Sequence, residues 1–286
     1  MKGIVLAGGT GSRLWPVTLG VSKQLLPVYD KPLIHYPIST LMLAGIREML
    51  IITTPRDQEA FKSLLGDGSR YGVRFEFQTQ ERPEGLAQAL TISEAFVGLD
   101  KLSLILGDNI FYGGAFGKKL RNFNNVTGAS IFAYKVRDPE RYGVVEFDVN
   151  GKAISIEEKP PNPKTFYAVP GLYFYDNDAI EIAKSIKPSL RGELEITEVN
   201  SVYMRKGKLN VSVIDRGTAW LDTGTFESLG AAGQFIQIIE ERQGQKVSCL
   251  EEVAWRNQWI NDAELARAAD AYKQSPYAKY LRELLN

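Results

Sequence analysis

The chain has 286 residues, 44% hydrophobic and 24% charged, an ordinary composition for a globular protein with a full core. Its 34 basic residues equal its 34 acidic residues, so no net field favours nucleic acid or an acidic membrane surface as a partner. No apolar run reaches the roughly 18 residues of a membrane span, and no signal-peptide pattern precedes the first strand. A single cysteine, Cys249, excludes an internal disulfide and, with these patterns, predicts a cytoplasmic protein. The single histidine, His35, argues against Ser-His-Asp catalysis and histidine-rich metal sites, so we expect any metal to be held by carboxylates.

In the first half of the chain, short apolar strands alternate with helical patterns, which is typical of an α/β fold. The predicted strands are residues 4–6, 49–53, 74–78, 102–106 and 129–134. The predicted helices are residues 33–44, 58–65, 86–96 and 115–123. The first of these helices contains His35, which its apolar surroundings predict to be a packed core side chain.

The second half of the chain is more mixed. Strands at 143–147 and 153–157 are predicted to form a hairpin around Asn150-Gly151, a dipeptide that favours a type I′ turn. A strand at 168–175, helices at 178–185 and 195–205, and a strand at 209–214 are predicted to follow. From Phe226 onward the pattern is mainly helical. Because no linker or repeat divides the chain, we expect one domain over residues 1–286, with an α/β catalytic core over about 1–225 and a helical extension over about 226–286.

A glycine-rich loop follows the first predicted strand. Gly8, Gly9 and Gly11 let backbone N–H groups approach an anion closely, and Arg13 and Lys23 add positive charge. The spacing fits neither a P-loop nor a dinucleotide fingerprint, since the lysine and the third glycine that these motifs need are missing. The loop therefore predicts a polyphosphate site, although an ordinary glycine turn with charges nearby would give the same pattern.

Two aspartates are candidate Mg²⁺ ligands. Asp108 follows the predicted strand at 102–106, at the strand end where ligands bind in parallel sheets. Asp222 lies between a strand and a helix, so it is either a second carboxylate ligand or a helix cap. Thr223 or Thr225 could cap that helix instead. Asp108 has a similar alternative as a turn residue.

Further candidates for substrate contacts lie in two later segments. Glu158 and Lys159 suit a sugar hydroxyl and a phosphate, or form an ordinary surface charge cluster. Gln80 and the segment 85–89 could form hydrogen bonds with a nucleotide base, although Gln88 would be unremarkable on a helix face.

Eight ordered segments resemble the sugar nucleotidyltransferases, in particular the bacterial branch that transfers thymidylate to glucose 1-phosphate. They are residues 3–14, 22–27, 85–89, 106–109, 141–145, 157–160, 171–176 and 220–224. The resemblance covers nearly the whole chain and implies a Rossmann-like α/β fold, with a central mixed, mostly parallel sheet flanked by helices and a helical C-terminal extension. One departure is Pro170, where threonine is more usual.

The resemblance also implies roles for individual residues. The residues implied to bind dTTP are Leu6, Gly8, Gly9, Thr10, Gly11, Arg13, Lys23, Gln24, Gln80, Gly85 and Asp108. The residues implied to bind glucose 1-phosphate are Asn109, Gly143, Glu158, Lys159, Val169, Tyr173 and Arg191. Asp108 and Asp222 would hold Mg²⁺. The catalytic set would be Arg13, Lys23, Asp108, Lys159 and Asp222.

The implied reaction is an in-line attack of the glucose 1-phosphate oxygen on the α-phosphorus of dTTP, giving dTDP-glucose and pyrophosphate for dTDP-rhamnose, dTDP-sugar and polysaccharide synthesis. The attacking phosphate is already ionised, so no general base is needed, and catalysis rests on positioning and charge neutralisation. Two alternatives stay open: a uridylyltransferase that uses UTP, and a non-catalytic nucleotide-sugar-binding regulatory subunit. The resemblance further implies a homotetramer that dTDP-rhamnose inhibits allosterically through Arg216, Ser248, Glu252 and Arg256.

Overall fold

A mixed β-sheet flanked by helices forms the centre of the structure, a computed structural model that describes residues 1–114 and 116–286. The strands are β1 (Lys2–Ala7), β2 (Pro27–Val28), β3 (Lys31–Pro32), β4 (Glu48–Thr53), β5 (Arg74–Thr79), β6 (Leu102–Leu106), β7 (Asn109–Tyr112), β8 (Ala129–Lys135), β9 (Gly143–Phe147), β10 (Ala153–Glu158), β11 (Tyr167–Ala168), β12 (Leu172–Tyr175), β13 (Leu209–Val213) and β14 (Ala219–Asp222). The α-helices are α1 (His35–Leu43), α2 (Gln58–Leu65), α3 (Gln88–Ile92), α4 (Glu94–Val97), α5 (Phe116–Leu120), α6 (Asp178–Ser185), α7 (Ile196–Arg205), α8 (Phe226–Gln243), α9 (Leu250–Arg256), α10 (Asp262–Ala271) and α11 (Pro276–Glu283).

The central sheet has ten strands in the order β10-β9-β11-β8-β12-β6-β1-β4-β5, with β13 paired to β8. The pairs β5–β4, β4–β1, β1–β6 and β13–β8 are parallel. β12 runs antiparallel between β6 and β8, and β9, β10 and β11 form an antiparallel end. With helices on both faces and at the C-terminus, this arrangement confirms the predicted fold class.

β1 is covered on both faces, as its unbroken apolar run predicts. Val5 lies in one hydrophobic cluster with Leu41 of α1 and Phe61 of α2. Ile4 lies in a second cluster with Val199 of α7. Because both faces of β1 are packed, the strand end from which the glycine-rich loop leaves is held firmly in place.

Most predicted elements are confirmed within a residue or two, and the helix at 58–65 has the predicted bounds. The predicted helix at 86–96 is wrong as one element, because it divides at Ser93 into α3 and α4. The hydroxyl of Ser93 donates to the carbonyl of Leu90 at 2.8 Å, a local bond that competes with a regular helix. The predicted helix at 115–123 starts at Ala115, outside the described residues. From Phe116 it is helical to Leu120 and continues as a 3-10 turn over Arg121–Phe123.

Two predictions in the second half were wrong in detail. The strand at 168–175 divides at Pro170 into β11 and β12, because proline has no N–H for the ladder. Both parts pair with β8, from opposite sides, while β11 also pairs with β9 and β12 with β6. The hairpin at 143–158 is confirmed, but its turn is not type I′. Only Gly151 of the Asn150-Gly151 pair has a positive φ, 78°, and Asp148 N–H bonds the carbonyl of Lys152 at 2.8 Å across a longer loop.

A small two-stranded sheet, which the sequence patterns do not indicate, joins β7 to β14. The pairing is antiparallel, and its register sets Asp222 opposite Asn109. The hydroxyl of Thr223 also donates to the carbonyl of Asp108 at 2.9 Å. The small sheet therefore brings together two aspartates that lie far apart in the sequence.

The C-terminal helices pack into the same hydrophobic cluster as β1. Leu250 of α9, Leu265 of α10 and Leu281 of α11 belong to the cluster that contains Val5. In the two described ranges, no helix combines the length and the apolar character needed to cross a bilayer.

Candidate active site

A cavity of about 780 Å³ opens at the carboxyl ends of β1 and β6. The predicted site residues that line it are Leu6, Gly8, Gly9, Thr10, Gly11, Arg13, Lys23, Gln24, Asp108, Asn109, Gly143, Glu158, Lys159, Val169, Tyr173, Arg191 and Asp222. The structure thus brings the glycine-rich loop, both aspartates and the Glu158-Lys159 pair to one place. Gln80 and Gly85 do not line the cavity. The side chain of Gln80 lies against Gly8 and donates to the carbonyl of Gly85, as described below.

The glycine-rich loop has a backbone that side chains would disturb. Gly9 and Gly11 have positive φ values of 94° and 60°, the region that favours glycine. A Cβ on Gly8 would lie 2.5 Å from Oε1 of Gln80, so any other residue there would require the Gln80 side chain to move. The exposed Arg13 follows in the 3-10 turn Ser12–Leu14 and makes no hydrogen bond or ion pair with residues in the described ranges. Its guanidinium is therefore available to a ligand.

Asp108 is held by a nearly buried lysine. Nζ of Lys23 lies 2.6 Å from Oδ2 of Asp108, and the side-chain amide of Asn109 donates to Oδ1 at 2.9 Å. Burial would raise the pKa of Asp108, but the charge and hydrogen bond of Lys23, with the Asn109 bond, hold that pKa below its ordinary value. Asp108 is therefore a firmly ionised carboxylate.

Asp222 has the opposite electrostatic environment. Burial and the negative charge of Asp108 raise the pKa of Asp222, although Lys23, Arg141 and Arg13 oppose this. Its Oδ2 accepts from Nη2 of Arg141 at 2.9 Å and from the hydroxyl of Tyr142 at 3.3 Å.

Asp222 does not cap the helix that follows it. The side chain of Thr225 accepts the Ser228 N–H at 3.2 Å and caps α8. This confirms the alternative in which a threonine is the cap and leaves the Asp222 carboxylate in the cavity.

The two aspartates fit a divalent cation. Burial and the negative charge of Asp108 raise the pKa of Asp222, and a cation held by the two carboxylates would offset this excess of negative charge. The residues of the two described ranges contain no cluster of three or more His, Cys, Asp or Glu side chains that could hold a metal by themselves. A cation here would need further oxygen ligands, and Mg²⁺ commonly takes one or two carboxylates plus substrate phosphates.

Glu158 and Lys159 line the same cavity, at the end of β10. Lys159 has a φ of 42°, a left-handed conformation that costs a non-glycine residue about 1–2 kcal/mol. Its backbone N–H donates to the carbonyl of Tyr142 at 3.0 Å, and its side chain is exposed. The hydroxyl of Thr197 donates to Glu158. Strain retained at an exposed cation is typical of a residue that positions a ligand.

Asn109 is buried, and its side chain is committed to the protein. Its Oδ1 accepts from Nε1 of Trp220 at 2.7 Å and from the N–H of Gly171 at 3.0 Å, while its amide nitrogen bonds Asp108. Asn109 therefore orients Asp108. Arg191 is instead an exposed cation at the rim, with Nη1 3.2 Å from Glu195.

The predicted regulatory residues lie around two separate cavities. Ser248, Glu252 and Arg256 line a cavity of about 340 Å³, and Nε of Arg256 lies 2.7 Å from Glu252. Arg216 lines a different cavity of about 480 Å³. The two cavities share Gly114 and Phe116, so they are neighbours.

Sequence reasoning missed some site residues. Arg141, which pairs with Asp222, lies in the segment 141–145 that carries the family resemblance, so its position beside Gly143 was an available signal. Thr197, which bonds Glu158, begins no recognisable motif, and only the packing of α7 against the site places it there.

A glycine-backbone cradle with two cations and two facing carboxylates is suited to binding a polyphosphate. Residues 2–238 match the family model described as Nucleotidyl transferase. The chain belongs to the nucleotidyl transferase family.

Similar proteins show which branch of the nucleotidyl transferase family this chain resembles. A Mycolicibacterium smegmatis protein named glucose-1-phosphate thymidylyltransferase is 59% identical over 286 residues, covering 100% of this chain and 99% of the relative. A relative of the same name from Neisseria meningitidis is 56% identical over 286 residues with the same coverage. A proposed glucose-1-phosphate thymidylyltransferase from Bacillus anthracis, solved in complex with a sucrose, has a TM-score of 0.76 at 42% identity, covering 82% of this chain and 94% of that chain. Within its family the chain groups with the glucose-1-phosphate thymidylyltransferases.

Proposed function

We propose that this protein transfers a thymidylyl group from dTTP to glucose 1-phosphate, giving dTDP-glucose and pyrophosphate. One observation carries the proposal: a single cavity is lined by the glycine-rich loop, Arg13 and the Glu158-Lys159 pair. Two anionic substrates can meet there between cationic side chains. The names of the full-length relatives support the same reaction.

Arg13 and Lys23 would bind the triphosphate, and Lys159 would bind the phosphate of the sugar. Because both substrates are anionic, these cations lower the repulsion between them and orient the attacking oxygen toward the α-phosphorus. Asp108 and Asp222 would hold Mg²⁺, which when bound would neutralise charge on the triphosphate. No protein group has to accept a proton, because the attacking phosphate is already ionised at neutral pH.

On the sugar side, Glu158 is placed to accept hydrogen bonds from hydroxyl groups. The Thr197 hydroxyl holds Glu158, and Nη1 of Arg191 lies 3.6 Å from its Oε1. A Cβ on Gly143 would approach Oγ1 of Thr197 to 3.2 Å and Oε2 of Glu158 to 3.4 Å, so glycine leaves the hydrogen-bonded pair of these two side chains undisturbed. Val169 and Tyr173 would supply apolar contacts to the ring.

The test is pyrophosphate release from dTTP in Mg²⁺, with and without glucose 1-phosphate. We expect release only when both substrates are present. Nucleotide binding without release would refute the enzyme proposal and favour a binding subunit. Parallel rates with UTP measure the pyrimidine preference, since one methyl contact contributes about 1–3 kcal/mol. A strong preference for UTP would make the protein a uridylyltransferase.

Several finer expectations stay proposals. The cluster shared by Val5, Leu250 and Leu281 supports one domain over residues 1–286. We also propose a homotetramer that dTDP-rhamnose inhibits at the residues around the two smaller cavities, as the family resemblance implies. We propose a cytoplasmic location on the sequence patterns described above.

A further inference from the structure

Gln80 lies next to Gly8 of the glycine-rich loop, and one end of its side-chain amide faces that residue. Its Oε1 is the atom that a Cβ on Gly8 would meet at 2.5 Å. In the described residues this oxygen accepts no hydrogen bond, and the fully buried polar atoms without partners lie elsewhere. The acceptor capacity of Oε1 of Gln80 is therefore unused by the described residues.

The nitrogen of the same amide is fully engaged on the other side. Nε2 of Gln80 donates to Oε1 of Gln88 at 2.6 Å and to the backbone carbonyl of Gly85 at 3.3 Å. A glutamine amide can in principle be rotated so that oxygen and nitrogen exchange places. Its partners decide which end faces Gly8.

The orientation of Gln88 is determined by groups that cannot change role. Its Nε2 donates to the Glu84 carboxylate at 2.8 Å, and an ionised carboxylate only accepts. Its Oε1 accepts from the backbone N–H of Glu84 at 3.3 Å, and an N–H only donates. Gln88 must therefore present oxygen to Gln80, and Gln80 must present its own oxygen toward Gly8.

We infer that Gln88 is a positioning residue for pyrimidine selection, which it exerts by keeping the acceptor end of Gln80 toward the nucleotide base. This rests on the proposed function, in which Gln80 faces thymine. Thymine and uracil carry an N3–H that needs an acceptor, whereas N3 of cytosine is itself an acceptor. A fixed oxygen therefore favours the first two bases and repels the third. An amide free to rotate could accept from the N3–H of thymine or donate to N3 of cytosine.

The test compares kcat/KM for dTTP and dCTP in wild type, Gln88→Leu and a Q88E/E84Q double variant. Leucine removes the 2.6 Å bond to Nε2 of Gln80 and leaves only the 3.3 Å bond to the Gly85 carbonyl, so we expect the dTTP:dCTP ratio to fall about 3- to 10-fold, equivalent to about 0.7–1.4 kcal/mol. Glutamate offers only acceptors to Gln80 but would lie 2.8 Å from the Glu84 carboxylate, so Q88E is made together with E84Q, whose amide supplies the donor, and we expect it to retain most of the discrimination.

Gln237 on α8 offers a matched control, because its Nε2 also donates to a glutamate four positions away, Glu241, at 2.8 Å. The glutamate follows Gln237 in the sequence, whereas Glu84 precedes Gln88. Gln237→Leu should leave the ratio unchanged. Melting temperatures of all variants show that each one folds.

The outcomes separate the two proposals. A wild type that releases no pyrophosphate from dTTP refutes the proposed function itself. A wild type that uses dTTP but does not discriminate against dCTP refutes the positioning role. So does a Gln88→Leu variant that keeps the wild-type ratio, or a Q88E/E84Q variant that loses it equally. Loss in Gln88→Leu with retention in Q88E/E84Q supports the inference.

Discussion

Replacing Asp108 and Asp222 separately by asparagine should remove activity in both cases but change stability in opposite directions. The two carboxylates are neighbours, yet the pKa of Asp108 is lowered and that of Asp222 is raised. A lowered carboxyl pKa means that the charged form stabilises the fold, and a raised pKa means that the charged form is the less favoured one.

The size of the stability loss expected for Asp108→Asn follows from how deeply the Lys23–Asp108 ion pair is buried. The Lys23 side chain is 8% exposed and that of Asp108 is 23% exposed. Removing one partner of a fully buried pair costs about 3–5 kcal/mol. Partial solvent exposure and the acceptor oxygen retained by asparagine reduce the expected cost of Asp108→Asn to about 1–2 kcal/mol. That corresponds to a Tm lower by roughly 2–6 °C for a chain of this size.

Asp222→Asn should behave differently. The substitution removes the repulsion from Asp108, and Arg141 keeps its second partner, Asp138, at 2.7 Å. We therefore expect a Tm equal to or above that of the wild type.

The stabilisation by Asp108 is fully present above its ordinary pKa of 3.8 and is lost as the pH falls through its lowered value.

Thermal unfolding at pH 7, followed by circular dichroism, measures the difference, and the pyrophosphate assay measures turnover in the same samples. Equal loss of stability in both variants would refute the electrostatic reasoning. Near-wild-type turnover in either variant would refute its assignment as a metal ligand.

Four further predictions concern the remaining machinery. Arg13→Met should lower kcat about 10²–10³-fold, the usual effect of losing one transition-state charge contact; a loss below tenfold contradicts this role. Lys159→Met should raise the KM for glucose 1-phosphate at least about tenfold while that for dTTP stays near the wild-type value, and equal changes in both would place Lys159 elsewhere. Chelation of divalent ions by EDTA should stop turnover and added Mg²⁺ should restore it, whereas full activity in EDTA would exclude the metal. Truncation after residue 225 removes Leu250 from the main cluster, so cooperative unfolding should be lost, and an unchanged Tm would show that residues 226–286 form a separate unit.

Local sequence patterns were enough to predict most of the elements and the strand ends where ligands bind. The apolar run at Ile4–Leu6 predicts a buried parallel strand, and Gln58–Leu65 predicts a helix that ends at Gly66, because hydrophobic periodicity and glycine act over a few neighbouring residues. The same local chemistry predicted a polyphosphate site at the glycine-rich loop, and the family resemblance extended it to a second substrate.

How the site residues meet depends on contacts between distant parts of the chain. The pairing of β7 with β14 sets Asp222 beside Asp108, and the Arg141 contact with Asp222 spans 81 positions, so no local pattern encodes either. These features depend on which groups are neighbours in three dimensions, because hydrogen bonds and charge interactions act over a few ångströms of space and not along the chain.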